Sequence, residues 1–139
     1  MTHTVAFTVP GPVRGKGRPR FVRQTGRTYT DAETVAYENL IKEAARQAMG
    51  GRELLDGPVA IVLRAVYQPP QSISAKKRAA MLSGDVRPTI KPDIDNILKT
   101  LDALNGIVWR DDKQVVQASI SKVYAATPGL EVLVREVLP

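Results

Sequence analysis

A chain of 139 residues is long enough for one domain with a real core, and 43% hydrophobic with 24% charged residues is the composition of a globular protein. With no cysteine, disulfides and thiolate metal centres are excluded; a single histidine, His3 near the N-terminus, disfavours a zinc site or a histidine-based triad and leaves oxygen donors for any metal. The net charge of +6 resides in residues 14–27: without the six cations there, the remaining 14 basic residues match the 14 acidic ones.

Thr4–Val9 alternates weakly and predicts a first strand, stopped at Pro10-Gly11-Pro12. After the basic loop, Arg20–Arg23 and Arg27–Tyr29 predict a short hairpin turning at Gln24-Thr25-Gly26. Thr30 with Glu33 reads as a capping box opening a helix from Asp31 to Met49, with Tyr37, Leu40, Ile41, Ala44 and Ala48 on its buried face and Gly50-Gly51 as its stop. A strand at Val59–Tyr67 follows Gly57-Pro58 and is broken by Pro69-Pro70. Ser74 caps a short basic helix to Ser83, and an acidic helix runs from Asp93 to Leu104 before Asn105-Gly106. Two late strands, Gln114–Ala125 and Leu130–Val137, joined by Thr127-Pro128-Gly129, predict a terminal hairpin. The pattern is α+β: a single small domain, residues 1–139, with a mainly antiparallel sheet and helices packed on one face. No apolar run is long enough to cross a bilayer, and MTHTVAFTVPGPV does not read as a signal peptide, so a cytoplasmic protein without membrane contact is expected.

The basic segment contains Arg14, Lys16, Arg18, Arg20, Arg23 and Arg27 and no acid. Glycines and Pro19 between them allow close backbone approach and disfavour a plain helix. Lys76-Lys77-Arg78 forms a second, smaller cluster. Both are electrostatic footprints for a phosphate backbone, with a solvated surface or an acidic protein partner as the plainer reading. Phe21 and Tyr29 read first as core residues, and second as platforms for bases; Trp109 reads as packing beneath a site.

The segment KPDIDNILKTLDALNGIVWRDDKQ carries Asp93, Asp95, Asp102, Asp111 and Asp112 with Lys99. Helical spacing puts Asp95, Lys99 and Asp102 on one stripe, beside an apolar face of Ile94, Ile97, Leu98, Leu101 and Leu104. Each acid has a structural alternative: Asp93 as an N-cap, Asp95 or Asp102 as a partner of Lys99, Asp111-Asp112 as a turn. Five carboxylates so close together repel unless a cation neutralises them. Oxygen donors of this kind suit Mg2+, with Mn2+ fitting the same residues, and a lysine beside them can offset charge developing on a phosphoryl group. A dehalogenase-type phosphatase would place its acids at the end of a hydrophobic strand, and a nucleotidyltransferase would put Gly-Ser ahead of them. Neither pattern is met, and no P-loop or dinucleotide fingerprint is present, so no nucleotide cofactor is expected.

The unit KPDIDNILKTLDALNGIVWRDDKQVV resembles the RusA family of crossover-junction endodeoxyribonucleases, matching it at Asp93, Asp95, Asn96, Lys99, Asp102, Ala103, Leu104, Asp111, Asp112, Gln114 and Val115. The GKGRPRF loop, Tyr29-Thr30 and Ala36-Tyr37 are similar to its phage and prophage branch. The resemblance implies a Mg2+-dependent homodimer that nicks two strands of a four-way (Holliday) junction symmetrically, in DNA recombination and repair. It carries the catalytic acids and metal ligands over to Asp93, Asp95 and Asp112, and the essential lysine to Lys99. Asp102 and Asp111 are left as possible helpers. The glycine- and arginine-rich loop departs from the proline- and asparagine-rich loop of some members, which bears on sequence preference and junction selectivity. The rival class is a non-catalytic binder of branched or duplex DNA, and a third is an adaptor whose basic loop meets acidic protein.

Overall fold

The computed structural model describes residues 3–17, 20–29 and 31–139; Arg18, Pro19 and Thr30 fall outside it, as do the side chains of Arg20 and Tyr29. Among the described residues, six strands and three α-helices follow in the order β1 (Thr4–Pro10), β2 (Arg20–Val22), β3 (Arg27–Tyr29), α1 (Ala32–Met49), β4 (Val59–Tyr67), α2 (Ala75–Ser83), α3 (Ile94–Lys99), β5 (Val115–Tyr124) and β6 (Gly129–Glu136). Two 3-10 turns, Thr100–Leu104 and Asp112–Gln114, link α3 to β5.

The main sheet has the order β1-β6-β4-β5, and β2 with β3 makes a separate two-stranded ribbon. β6 is antiparallel to both β1 and β4, whereas β4 and β5 run parallel. The predicted hairpin between the two last strands is therefore not formed. β4 is apolar along most of its length, including residues on both faces, and takes the interior place between them. The connection passes the end of β4, where the Ala125 amide donates to the Tyr67 carbonyl at 2.9 Å. Gly129 opens β6 where a Cβ would meet the Val9 carbonyl at 3.1 Å, so the turn glycine also permits close strand approach.

One face of the sheet carries the core. Val5, Val9, Val59, Ile61, Leu63, Leu130, Val132 and Val134 pack with Tyr37, Ile41, Ala45 and Met49 of α1, and with Ile97, Leu101, Leu104 and Trp109 from the acidic segment. Each large apolar side chain so buried contributes about 1.5–3 kcal/mol relative to exposure. Leu40, expected inside, is instead 46% exposed, because the buried stripe of α1 runs through Thr34, Tyr37, Ile41, Ala45 and Met49. The α1 cap is Asp31, whose carboxylate accepts from the Thr34 amide at 2.8 Å, one residue after the expected Thr30. α2 is capped by Ser74 as predicted and buries no residue. Phe21 is 63% exposed on the ribbon, which corrects its reading as a core residue.

The opposite face of the sheet has an open recess lined by Ala6, Thr8, Val62, Leu133 and the Arg64–Glu131 ion pair. No helix among the described residues is long and apolar enough to cross a membrane.

Candidate active site

The acidic segment folds as α3 and then tightens into a 3-10 turn at Thr100, rather than continuing as one helix to Leu104. Ile97, Leu101 and Leu104 are buried and Leu98 is partly so, but Ile94 is 40% exposed. This anchoring turns the acids towards solvent on the neighbouring side. Asp93 caps α3, its Oδ1 accepting from the Asn96 amide at 2.9 Å. Asp95 pairs with Lys99 one turn later at 3.2 Å. Asp102 does not pair with Lys99; its Oδ2 lies 2.9 Å from Lys16 Nζ in the basic loop.

Lys16, Gly17, Asp93, Asp95, Asn96, Lys99 and Asp102 line one open recess of about 690 Å³. Asp102 also borders a smaller apolar recess with Leu101, Trp109 and Asp112, so it stands between the two ends of the acidic segment. Trp109 is fully buried and its indole N–H donates to Asn105 Oδ1 at 2.6 Å, fixing the connection under Asp112.

The adjacent pair Asp111-Asp112 is divided in its duties. The Asp111 carboxylate accepts from the Lys113 amide at 2.9 Å, a bond that holds its carboxyl below the usual range. Asp112 faces Asp102, and that neighbour, followed by partial desolvation and Asp111, holds its carboxyl above the usual range. A raised carboxyl beside another carboxylate marks a place where a cation is favourable. All-oxygen donors at Asp93, Asp95, Asp102 and Asp112 fit a hard divalent ion. Among the described residues, however, no three acidic or histidine side chains converge closely enough to enclose one ion. Asp95 lies on α3 and Asp102 in the 3-10 turn that follows it.

Several supporting residues were not singled out from the sequence. In the sequence Gln114 stands only as one position of the motif. Its side-chain oxygen accepts from the Arg110 and Asp111 amides at 2.8 and 3.1 Å, while its amide donates to the carbonyls of Leu55 and Gly57. Lys122 on β5 donates to the carbonyls of Ile90 and Pro92, and Tyr67 on β4 donates to Pro92 at 3.1 Å, so two strands hold the residue before Asp93. Glu38 on α1 reaches to 3.7 Å from Lys16. Its place in the sequence, one turn after Thr34 and beside Tyr37 and Ile41, puts it on the flank of the buried stripe, and that was the available signal.

The expected DNA-contacting cations are distributed differently. Arg23 and Arg27 are exposed on the β2–β3 ribbon, and Arg14 makes an exposed pair with Glu33 at 3.3 Å. Lys76 and Lys77 are exposed on α2, whereas Arg78 donates to the carbonyls of Pro70 and Gln71. Arg18 and the side chain of Arg20 lie outside the described residues.

The family model for the endodeoxyribonuclease RusA matches residues 10–135. A protein of Bacillus subtilis strain 168, described as the uncharacterized protein YqaN, is 37% identical over 139 residues, covering 96% of each chain. The match takes in the basic loop, the acidic segment and most of the sheet, and the chain belongs to the RusA endodeoxyribonuclease family.

Proposed function

We propose that the protein is a Mg2+-dependent endodeoxyribonuclease that resolves four-way DNA junctions by paired symmetric nicks, as a homodimer, in DNA recombination and repair. The observation that carries this reading is the acidic segment of a RusA-family chain, set against the basic loop across one open recess. Asp93, Asp95 and Asp112 are the proposed metal ligands, with Asp102 between them as helper and Asp111 as a structural cap. When bound, the ion would polarise a phosphodiester oxygen and make a water more acidic; Mn2+ would serve the same donors.

The remaining work belongs to the chain itself. Lys99, paired with Asp95 on the same stripe, would offset negative charge on the phosphoryl group or the leaving oxygen. Arg14, Arg23, Arg27, Lys76 and Lys77, with Arg18 and Arg20, would grip phosphates without reading sequence. Exposed Phe21, on the same ribbon as Arg23 and Arg27, is suited to stack on a base at a crossover. A junction has two-fold symmetry, and two copies of one site on an isologous dimer would address its two opposed strands.

The test is cleavage of a labelled four-way junction beside a linear duplex of matching sequence, in Mg2+ and in EDTA. Paired nicks only on the junction and only with metal are expected. Tight junction binding without cleavage in either Mg2+ or Mn2+ would replace this reading with a non-catalytic branched-DNA binder. The capping bond of Asp93 and the Asp95–Lys99 pair are what such a binder would keep.

A further inference from the structure

By charge alone, Lys16 is one of six cations in a phosphate-gripping run. Its surroundings separate it from Arg14, Arg23 and Arg27. Its ammonium lies 2.9 Å from Asp102 and 3.7 Å from Glu38, with the Lys16 side chain 29% exposed against 49% for Arg14. Its own amide donates to the Asn96 carbonyl at 3.1 Å, which fastens this point of the loop to α3.

The glycines on either side explain why a lysine in this loop arrives there. A Cβ at Gly15 would fall 2.8 Å from Asn96 Cβ and 3.0 Å from Pro92 Cβ. At Gly17 it would run into Asp31 Oδ2 and fall 2.7 Å from Thr34 Oγ1. The Gly17 amide also donates to Thr34 Oγ1 at 3.1 Å. Gly-Lys-Gly therefore passes between the start of α1 and the start of α3 with no room for side chains at its ends. The side chain between those glycines is directed onto Asp102 and Glu38.

We propose that Lys16 is a positioning residue of the reaction centre, acting through Asp102, and not one of the cations that grip DNA. Asp102 and Asp112 line the same recess, and two carboxylates brought together repel unless one is held from elsewhere. A fixed ammonium on Asp102 Oδ2 orients that carboxylate and sets the positive charge already present before a divalent ion enters. Gripping a phosphate would require Lys16 to leave both of its acids. The assignment deepens the nuclease reading and depends on it only for its cleavage measurement.

The experiment compares Lys16→Met and Lys16→Arg with wild type in three measurements: Mn2+ binding to the free protein by electron paramagnetic resonance, junction affinity as a function of salt, and cleavage rate at saturating DNA. For Lys16→Met the Mn2+ dissociation constant is expected to fall at least threefold, because a fixed positive charge leaves while the acids stay. Junction affinity should remain within twofold and its salt dependence unchanged. The cleavage rate should drop at least tenfold, and Lys16→Arg should return the Mn2+ titration towards wild type. An unchanged Mn2+ titration, with weaker DNA binding and a log–log salt slope reduced by about 0.9, would overturn the proposal and return Lys16 to the gripping run. Arg23→Ala supplies the reference for such a loss. If wild type cuts no DNA, the nuclease reading falls, while the Mn2+ and DNA-binding measurements still decide the role of Lys16. Should Lys16→Met fail to fold, Lys16→Gln carries the same measurements.

Discussion

The two ends of the acidic segment are held by different means. Asp93 and Asp95 have their partners within α3 itself, one a backbone amide three residues on and the other a lysine four residues on. Asp102 and Asp112 are placed by tertiary structure: Lys16 comes from 86 positions away, and Gln114 ties the start of β5 to the chain before β4. Local partners follow from spacing along one helix, whereas tertiary ones require the topology. The first end should therefore tolerate conservative changes in stability, and the second should be sensitive to distant ones.

The largest effect is expected from the neighbours Asp111 and Asp112, whose side chains differ in what they face. Under the proposed assignment, Asp112→Asn should lower cleavage by about 10³-fold, close to 4 kcal/mol of activation free energy, with folding and junction affinity retained. Asp111→Ala should instead remove only the bond from the Lys113 amide, with a small loss in denaturant unfolding and little change in cleavage. Equal activity losses in both variants would break the division of labour between them. Lys99→Met comes next, with a loss of about 10²-fold at saturating DNA if it stabilises transition-state charge. A loss confined to junction affinity would make Lys99 a phosphate contact.

Asp93 allows its two roles to be separated. Asparagine caps a helix about as well as aspartate, so Asp93→Asn should leave stability unchanged while lowering metal-dependent cleavage. Asp93→Ala should lose cleavage and also about 1 kcal/mol of stability. If Asp93→Asn cleaved normally, the acid would be a cap and nothing more.

The same contrast between local and distant determinants explains what could be read in advance. Helix α1, strand β4 and helix α2 announced themselves through a glycine stop, a proline break and a serine cap, respectively, each acting within a few residues. The pairing of β5 and β6 could not be read that way. A Thr-Pro-Gly turn between two strands suits a hairpin, and only the competition of the more apolar β4 for the interior position separates them. Leu40 shows the same limit, since a leucine on an amphipathic helix can sit one step outside the stripe that the sheet covers. Of the acids, the Asp95–Lys99 pair was legible from spacing. The meeting of Asp102 with Lys16 and Glu38 was not, because it depends on two glycines allowing the loop to lie between helices.

The smallest effects are expected behind the site, where Lys122 and Tyr67 both hold the Pro92 carbonyl and the Lys122 ammonium sits 5.2 Å from the Tyr67 ring centroid. Burial, followed by the neighbouring Tyr37 and Tyr124, pushes the Tyr67 phenol up to about 12. Its ordinary value is 10.0, so in the unfolded chain it ionises first. The stability that depends on the neutral phenol is thus complete below pH 10 and declines as pH rises towards about 12. Tyr67→Phe removes this dependence, so the stability of wild type relative to Tyr67→Phe should fall across that interval, as measured by urea unfolding at successive pH values. Burial raises the Tyr37 phenol as well, so ultraviolet titration should show that the variant has lost one of the late tyrosines of wild type, not all of them. At neutral pH the lost hydrogen bond should cost about 1 kcal/mol, and because Lys122 still holds Pro92, cleavage should decline only slightly. A large loss of cleavage in Tyr67→Phe would mean that the placement of Asp93 depends on the strands behind it as strongly as Asp102 depends on Lys16, and the contrast between the two ends of the segment would disappear.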